Sequence, residues 1–212
     1  MKIRVLKVLV FVAALIPGGM LIARGFTGDL TANPIEYITD QTGSWALAFL
    51  MISLSVTPVR RLTGWSQVIR FRRMLGLFSF FYASLHMLTW LVLDQSLTVL
   101  ALSTTGTISG GALLMSVAAD VVKRPFITMG MTTYLLLLPL AITSNMAMIR
   151  RLGRRWQYLH RAVYIAGITA VTHFWWLVKA DVTEPQRWAI LLVVLLGFRA
   201  WWTYRTSLSS RS

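Results

Sequence analysis

The chain has 212 residues, of which 56% are hydrophobic and only 13% charged, with a mean hydropathy of +0.65 that a water-facing domain cannot carry. Twenty-one Lys and Arg against seven Asp and Glu give a formal charge of +14, a balance that suits nucleic acid or an anionic membrane surface. With no Cys, a disulfide, an iron–sulfur cluster, a thiolate zinc site and heme attachment through C-x-x-C-H are excluded.

A helix that crosses a hydrocarbon core about 30 Å thick needs roughly 20 mostly apolar residues. Six runs answer to this between charged punctuation: residues 5–22, 45–59, 74–93, 126–142, 162–178 and 188–204. The first follows Lys2, Arg4 and Lys7 as a signal peptide would, but Pro17, Gly18 and Gly19 fall inside it and no A-x-A site follows, so a retained helix is expected. The second and fourth are short, and the second recruits Gly43 and Ser44 at its outer end. Between the third and fourth, residues 110–122 form an apolar stretch too short to span, which predicts an interfacial or re-entrant helix within the long connection 94–123. No internal repeat, Walker A or G-x-G-x-x-G loop is evident in the sequence. The expected fold is all-α, a polytopic membrane bundle of six helices forming one domain over residues 1–212.

Sorting the charges orients the bundle, because Lys and Arg accumulate on the cytoplasmic side. With the N-terminus inside, that side holds sixteen basic residues and no acid, while the outer side holds Arg24, Lys123, Arg124, Lys179 and Arg187 with all seven acids. Both termini are therefore expected in the cytoplasm. This placement accounts for the whole positive charge and leaves no role for nucleic acid; the bilayer is the expected partner.

Only three His occur, and two lie well inside predicted spans. An intramembrane ionisable side chain faces the bundle interior and needs a partner. His86 lies 13 residues beyond Arg73 in the third run, and His173 lies 13 residues beyond His160 in the fifth. Both runs point outward, so the two imidazoles are expected at one depth, where they suit the opposite axial positions of a heme iron. The alternative is that each His is braced by a neighbouring hydroxyl such as Ser84, Thr89, Thr169 or Thr172. No Asp or Glu falls in any span, which disfavours a carboxylate proton path or a dinuclear metal site. On a continuous helix His160 would lie about 20 Å from His173 and about 140° around it. His160 therefore serves a separate inner site or acts as an interfacial anchor beside Trp156 and Tyr158. Arg72, Arg73 and Arg161 are candidates to contact heme propionates, although topology explains them as well. Gly76 and Gly167 admit either a neighbouring helix or a flat ring.

The stretch T-S-N-M-A-M-I-R-R-L-G-R-R-W-Q-Y-L-H-R-A-V-Y at 143–164, followed by H-F-W-W-L-V-K at 173–179, resembles the heme-binding membrane subunits of bacterial periplasmic methionine sulfoxide reductase systems. N-P-I-E-Y-I-T-D-Q-T-G at 33–43, T-P-V-R at 57–60, R-R-M-L-G-L-F-S-F-F-Y-A-S-L-H at 72–86 and K-R-P-F-I-T-M-G at 123–130 agree in order. That family is grouped with the transmembrane domains of ferric reductases and NADPH oxidases. The resemblance implies a b-type cytochrome of the bacterial inner membrane with one or two hemes b. His86 and His173 then match an outer ligand pair and His160 an inner ligand. The fourth position falls at Arg72 or Arg73, a departure that leaves the inner coordination open, and the outer connection 94–123 is longer than the family pattern. The resemblance also implies flavin mononucleotide as a further cofactor, for which no residue set is evident.

About eight residues follow Tyr204, with no room among them for a flavin and nicotinamide domain. A separate donor, the quinol pool or a cytoplasmic flavin reductase, is therefore expected. By resemblance the acceptor is a periplasmic molybdopterin-containing catalytic subunit that repairs oxidised proteins, and this chain carries electrons with no substrate chemistry of its own. A small transporter or assembly factor and a stand-alone metalloreductase are the competing readings.

Overall fold

A computed structural model describes residues 2–102 and 109–209, and among these every regular element is helical. The first apolar run becomes α1 (Lys2–Thr27), which continues through Pro17. The second extends in both directions into α2 (Pro34–Thr63). Its start is set by Asn33, whose side chain accepts from the Glu36 amide at 3.3 Å and donates to the Glu36 carboxylate at 2.9 Å, with Pro34 at the first helical position. Its end is set by Gly64, which takes φ +70° and returns its N–H to the Arg60 carbonyl. Hydropathy alone found only the middle of this helix, because Glu36, Asp40, Arg60 and Arg61 lie inside its ends.

A 3-10 turn (Ser66–Val68) leads into α3 (Ile69–Leu88), which continues as a π-helical segment (Thr89–Gln95) and then α4 (Ser96–Leu102). The short apolar stretch of the long connection is helical, as expected: α5 (Gly110–Lys123) is N-capped by Ser109, whose hydroxyl accepts from the Ala112 amide at 3.1 Å. Buried Gln95 ties α5 to the π segment, donating to Asp120 at 2.7 Å and accepting from Ser116 at 2.8 Å. Leu114, Met115 and Val122 of α5 are exposed. The chain then forms α6 (Pro125–Ile142), two short helices α7 (Met146–Leu152) and α8 (Arg154–Leu159), α9 (Ala162–Leu177) and α10 (Thr183–Ser209).

Four stretches among the described residues are long and apolar enough to cross a membrane: Ile3–Thr27, Pro34–Thr63, Ser66–Leu100 and Pro125–Ile142. Of the two other predicted spans, α9 is 16 residues long. The other, α10, is longer, but its apolar middle is flanked by Arg199, Trp201, Trp202, Tyr204 and Arg205. Large hydrophobic side chains such as Val8, Phe11, Val193 and Val194 stand exposed around the outside, as suits lipid rather than water.

α2 forms the axis of the packing and contributes to three buried clusters. Phe49 and Val56 meet Ala14 of α1 and Phe78 and Tyr82 of α3. Leu47, Met51 and Leu54 meet Val171 of α9 and Leu192 and Leu195 of α10. Leu50 meets Leu137 of α6 and Ala166 of α9. Tyr82 is fully buried: its hydroxyl donates to the Ala14 carbonyl at 2.8 Å and accepts from the Gly18 amide at 3.0 Å, which places it inside the α1 backbone ladder beside Pro17. A ring in place of the Gly18 hydrogen would press on this hydroxyl, since even a Cβ there would lie 3.4 Å from it.

Candidate functional site

His86 on α3 and His173 on α9 face each other, with ring centroids 6.1 Å apart and ring planes at 79°. Each ring has one hydrogen bond among the described residues, and it is made at Nδ1. His86 meets the Thr39 carbonyl at 2.9 Å, and His173 meets the Phe126 carbonyl at 2.6 Å. A carbonyl only accepts, so Nδ1 carries the proton in both rings and Nε2 is left with its lone pair. Three of the hydroxyls expected as braces are engaged elsewhere: Ser84 and Thr89 bond back to Phe80 and Leu85, and Thr169 accepts from Thr133. Two glycines make room for the rings. A Cβ at Gly43 would lie 3.0 Å from the His86 ring, and one at Gly130 2.9 Å from the His173 ring.

The two halves of this arrangement obey one numerical rule that the sequence did not disclose. Each His lies 47 residues after the carbonyl it bonds and 43 after the glycine it covers, so a shift of 87 residues maps Thr39, Gly43 and His86 onto Phe126, Gly130 and His173. The paired helices α2–α3 and α6–α9 thus form two copies of one seat. The absence of an evident repeat in the sequence is corrected here: the shared geometry survives on so few identical residues that no sequence periodicity shows.

Between these helices lies a cavity of about 1060 Å³, with apolar walls that include Leu50, Ala83, Leu137, Ala170 and Phe174. Glu36, Asp40, Asp94, Asp181 and Glu184 also line it, with Arg124 as the one cation among the described lining residues. Arg124 is paired with Asp120 at 3.4 Å. The residues fit a heme. Two axial bonds of about 2.0–2.1 Å, with about 1.1 Å from each ring centre to its nitrogen, need centroids about 6.3 Å apart, close to the observed spacing. A ligating His that gives its other N–H to a backbone carbonyl is the usual support for such a bond. Among the described residues no three His, Asp or Glu gather as they would for a bare metal ion.

His160 belongs to a second cavity, of about 1170 Å³, at the opposite end of the bundle. It caps α8 and precedes α9 rather than continuing it, so the angle reckoned along a single helix does not apply. Its ring stacks on Trp156 at 3.9 Å, and Nε2 lies 3.1 Å from the Thr143 hydroxyl. Burial, and then the nearby Arg72 charge, lower its pKa from the ordinary imidazole value, which favours the uncharged ring. Arg72, Arg73 and Arg161 line the same cavity, as do Arg61 and Arg199, which the sequence had not singled out. The 87-residue shift pairs His160 with Arg73, not with another His. Leu50 and Leu137, themselves equivalent under that shift, line both cavities and form a shared apolar partition. A Cβ at Gly167 would meet Leu192 and Leu54 at 3.2 and 3.5 Å, and one at Gly76 would meet the Ser53 hydroxyl, so both glycines serve helix packing, while Gly76 also borders the inner cavity.

A helical membrane protein with an opposed His pair in its interior is the class these features define, and residues 42–171 match the family model described as "ferric reductase like transmembrane component". The chain belongs to that family and, within it, to the protein-methionine-sulfoxide reductase heme-binding subunits. It is 44% identical to the MsrQ subunit of Ralstonia nicotianae over 96% of this chain and 88% of the relative. Against the MsrQ of Xanthomonas euvesicatoria the identity is 45%, over 92% of this chain and 85% of the relative. Against that of Bordetella pertussis it is 43%, over 94% and 92%. No solved structure matches the chain.

Proposed function

We propose that this chain is a b-type cytochrome that carries electrons across the bacterial inner membrane to a periplasmic molybdopterin-containing methionine sulfoxide reductase. The observation that carries this reading is the His86–His173 pair, 6.1 Å apart with both Nδ1 protons given to carbonyls. His86 and His173 would hold one heme b through Nε2, and His160 would serve a second, inner one with Arg72 and Arg73 near its propionates. A bound heme supplies a one-electron iron couple. The chain's residues do the rest: the carbonyls of Thr39 and Phe126 fix the tautomers, Gly43 and Gly130 seat the rings, and the apolar walls exclude water.

In this reading α9 and α10 complete six crossing helices, residues 1–212 form one domain, and both termini lie in the cytoplasm with the Arg-rich end. The His86–His173 level then stands near the periplasmic side, and the Arg-lined cavity faces the donor, which is the quinol pool or a cytoplasmic flavin reductase. Flavin mononucleotide is not assigned to any residue. The protein-repair role is proposed from the relatives, which are heme-binding subunits of protein-methionine-sulfoxide reductase. The deciding experiment is a dithionite-reduced minus air-oxidised spectrum of the purified chain, with heme counted by pyridine hemochrome. One or two equivalents of heme b are expected, and a colourless protein from cells with ample heme would overturn the reading.

A further inference from the structure

A buried polar atom without a partner costs about 1–3 kcal/mol, so native chains rarely leave one unexplained. Two such side-chain atoms occur among the described residues: Nη1 of Arg61 and Oγ1 of Thr57. They are not scattered. Both belong to α2 and are four residues apart, hence on one helix face, and that face continues from Leu50 and Ser53, which line the inner cavity together with Arg61.

The Thr57 hydroxyl is unusual for this protein. Thr39, Thr42, Thr89, Thr133 and Thr143 each spend theirs on the carbonyl four residues back, whereas Thr57 does not. Arg61 stacks on the Trp202 ring at 5.0 Å, as Arg199 stacks on Tyr164 at 4.7 Å across the same cavity. Stacking uses the face of a guanidinium and leaves its edge donors for oxygen ligands. Every acidic side chain of the protein is at the other end of the bundle or in the connections there. Among the described residues no carboxylate pairs with Arg61, so its charge is free to be answered by a bound anion. Positive-inside bias accounts for exposed arginines such as Arg70, but not for a buried guanidinium nitrogen beside a cavity.

We infer that Arg61, which lines the inner cavity, and Thr57, buried one turn before it on α2, form an anion site that takes a carboxylate or phosphate oxygen of a bound ligand. The inference deepens the function proposed above, on which it rests only for the ligand's identity: a propionate of an inner heme supplies a carboxylate, and a phospholipid headgroup or phosphate ester supplies a phosphate. Thr57 donates one hydrogen bond and Arg61 a charge-assisted one.

The test uses the full chain purified in detergent, as wild type, Arg61→Gln, Thr57→Val and the exposed control Arg70→Gln, with heme and bound phosphorus counted per chain after exhaustive washing. The expected result is loss of the second heme equivalent from Arg61→Gln and partial loss from the nearly isosteric Thr57→Val, with the low-spin signal of the His86–His173 level and the Arg70→Gln protein unchanged. If heme is unaffected and one phosphorus equivalent is lost instead, the anion site stands and its ligand is a phosphate. Heme and phosphorus unchanged in both variants, or a wild type holding neither a second heme nor phosphorus, would overturn it. Should Arg61→Gln fail to fold, Thr57→Val decides alone. A colourless wild type sinks the proposed function, while the phosphorus count still decides the anion site.

Discussion

The two cavities are built on the same pair of repeated helices, yet only one of them is symmetric. At the acid-rich end, α2–α3 and α6–α9 each supply a carbonyl, a glycine and a histidine at equal intervals, so an iron there would meet two equivalent imidazoles. At the Arg-rich end the same 87-residue shift sets His160 against Arg73, and Arg73 turns toward Met146, with Nη1 3.6 Å from its sulfur. The difference teaches that depth in the membrane and charge select different chemistry from one scaffold. A closed, neutral donor pair occupies one level, and a one-sided, cationic cavity the other.

The largest effect that would break this comparison is expected from His173→Ala or His86→Ala. An iron deprived of one axial nitrogen changes spin state and potential, so either variant should lose the low-spin heme at this level and with it the electron transfer proposed above. In the intact protein, axial rings at 79° should give a strongly anisotropic low-spin electron paramagnetic resonance signal, which is absent from both variants. A His173→Ala protein that keeps the full signal would show that this pair does not hold the heme.

Next in size is Gly130→Ala, for which local and tertiary effects oppose each other in sign. Ala is favoured over Gly in a helix by about 1 kcal/mol, so the substitution should stabilise α6 in isolation. In the folded protein the new Cβ would fall 2.9 Å from the His173 ring and must push it off its carbonyl. Loss of such a supporting contact typically costs 10- to 100-fold in metal affinity, so heme retention during dilution should drop by about that factor. Gly43→Ala should act on His86 in the same way, and Gly197→Ala, which meets nothing within 4 Å, should leave heme binding unchanged.

The inner level sharpens the contrast by a smaller effect. His160→Ala should change only the heme component assigned to the Arg-lined cavity, leaving the anisotropic signal of the His86–His173 level intact. Arg73→His should supply the missing symmetric ligand and convert that inner component toward a bis-histidine spectrum. If His160→Ala instead reduces both components equally, the two cavities are not independent sites.

Much of this was legible before the structure, for physical reasons that differ from feature to feature. The apolar runs and the sorted charges report directly on the bilayer, and equal spacing from Arg73 and His160 pointed to His86 and His173 as a pair, although His160 stands before α9 rather than on it. The seat beneath them was not legible, because a carbonyl has no residue code and Gly43 and Gly130 read like any packing glycine. Arg61 was hidden by the membrane rule itself, which explains every arginine at that end and so distinguishes none. The extent of α2 and of α10 was missed because polar and aromatic ends lower the hydropathy of helices that continue through them.

The smallest expected effect concerns α1, which touches the rest of the bundle lightly and depends on Tyr82. This side chain sits one helical turn before His86 on α3, so a change in it could reach the heme level as well as α1. Its hydroxyl replaces a direct bond between Gly18 and Ala14 in the helix ladder next to Pro17. In Tyr82→Phe those two backbone groups can close on each other, since they stand in the ordinary i, i+4 relation. The cost should therefore be that of one net hydrogen bond, about 0.5–1.5 kcal/mol, rather than of two orphaned groups. The ring itself remains, stacked on Phe49 at 5.4 Å, so the core keeps its volume. A modest fall in thermal midpoint with an unchanged heme spectrum is expected. A Tyr82→Phe protein that sheds heme would join α1 to the His86–His173 level and dissolve the separation between that site and the helix that flanks it.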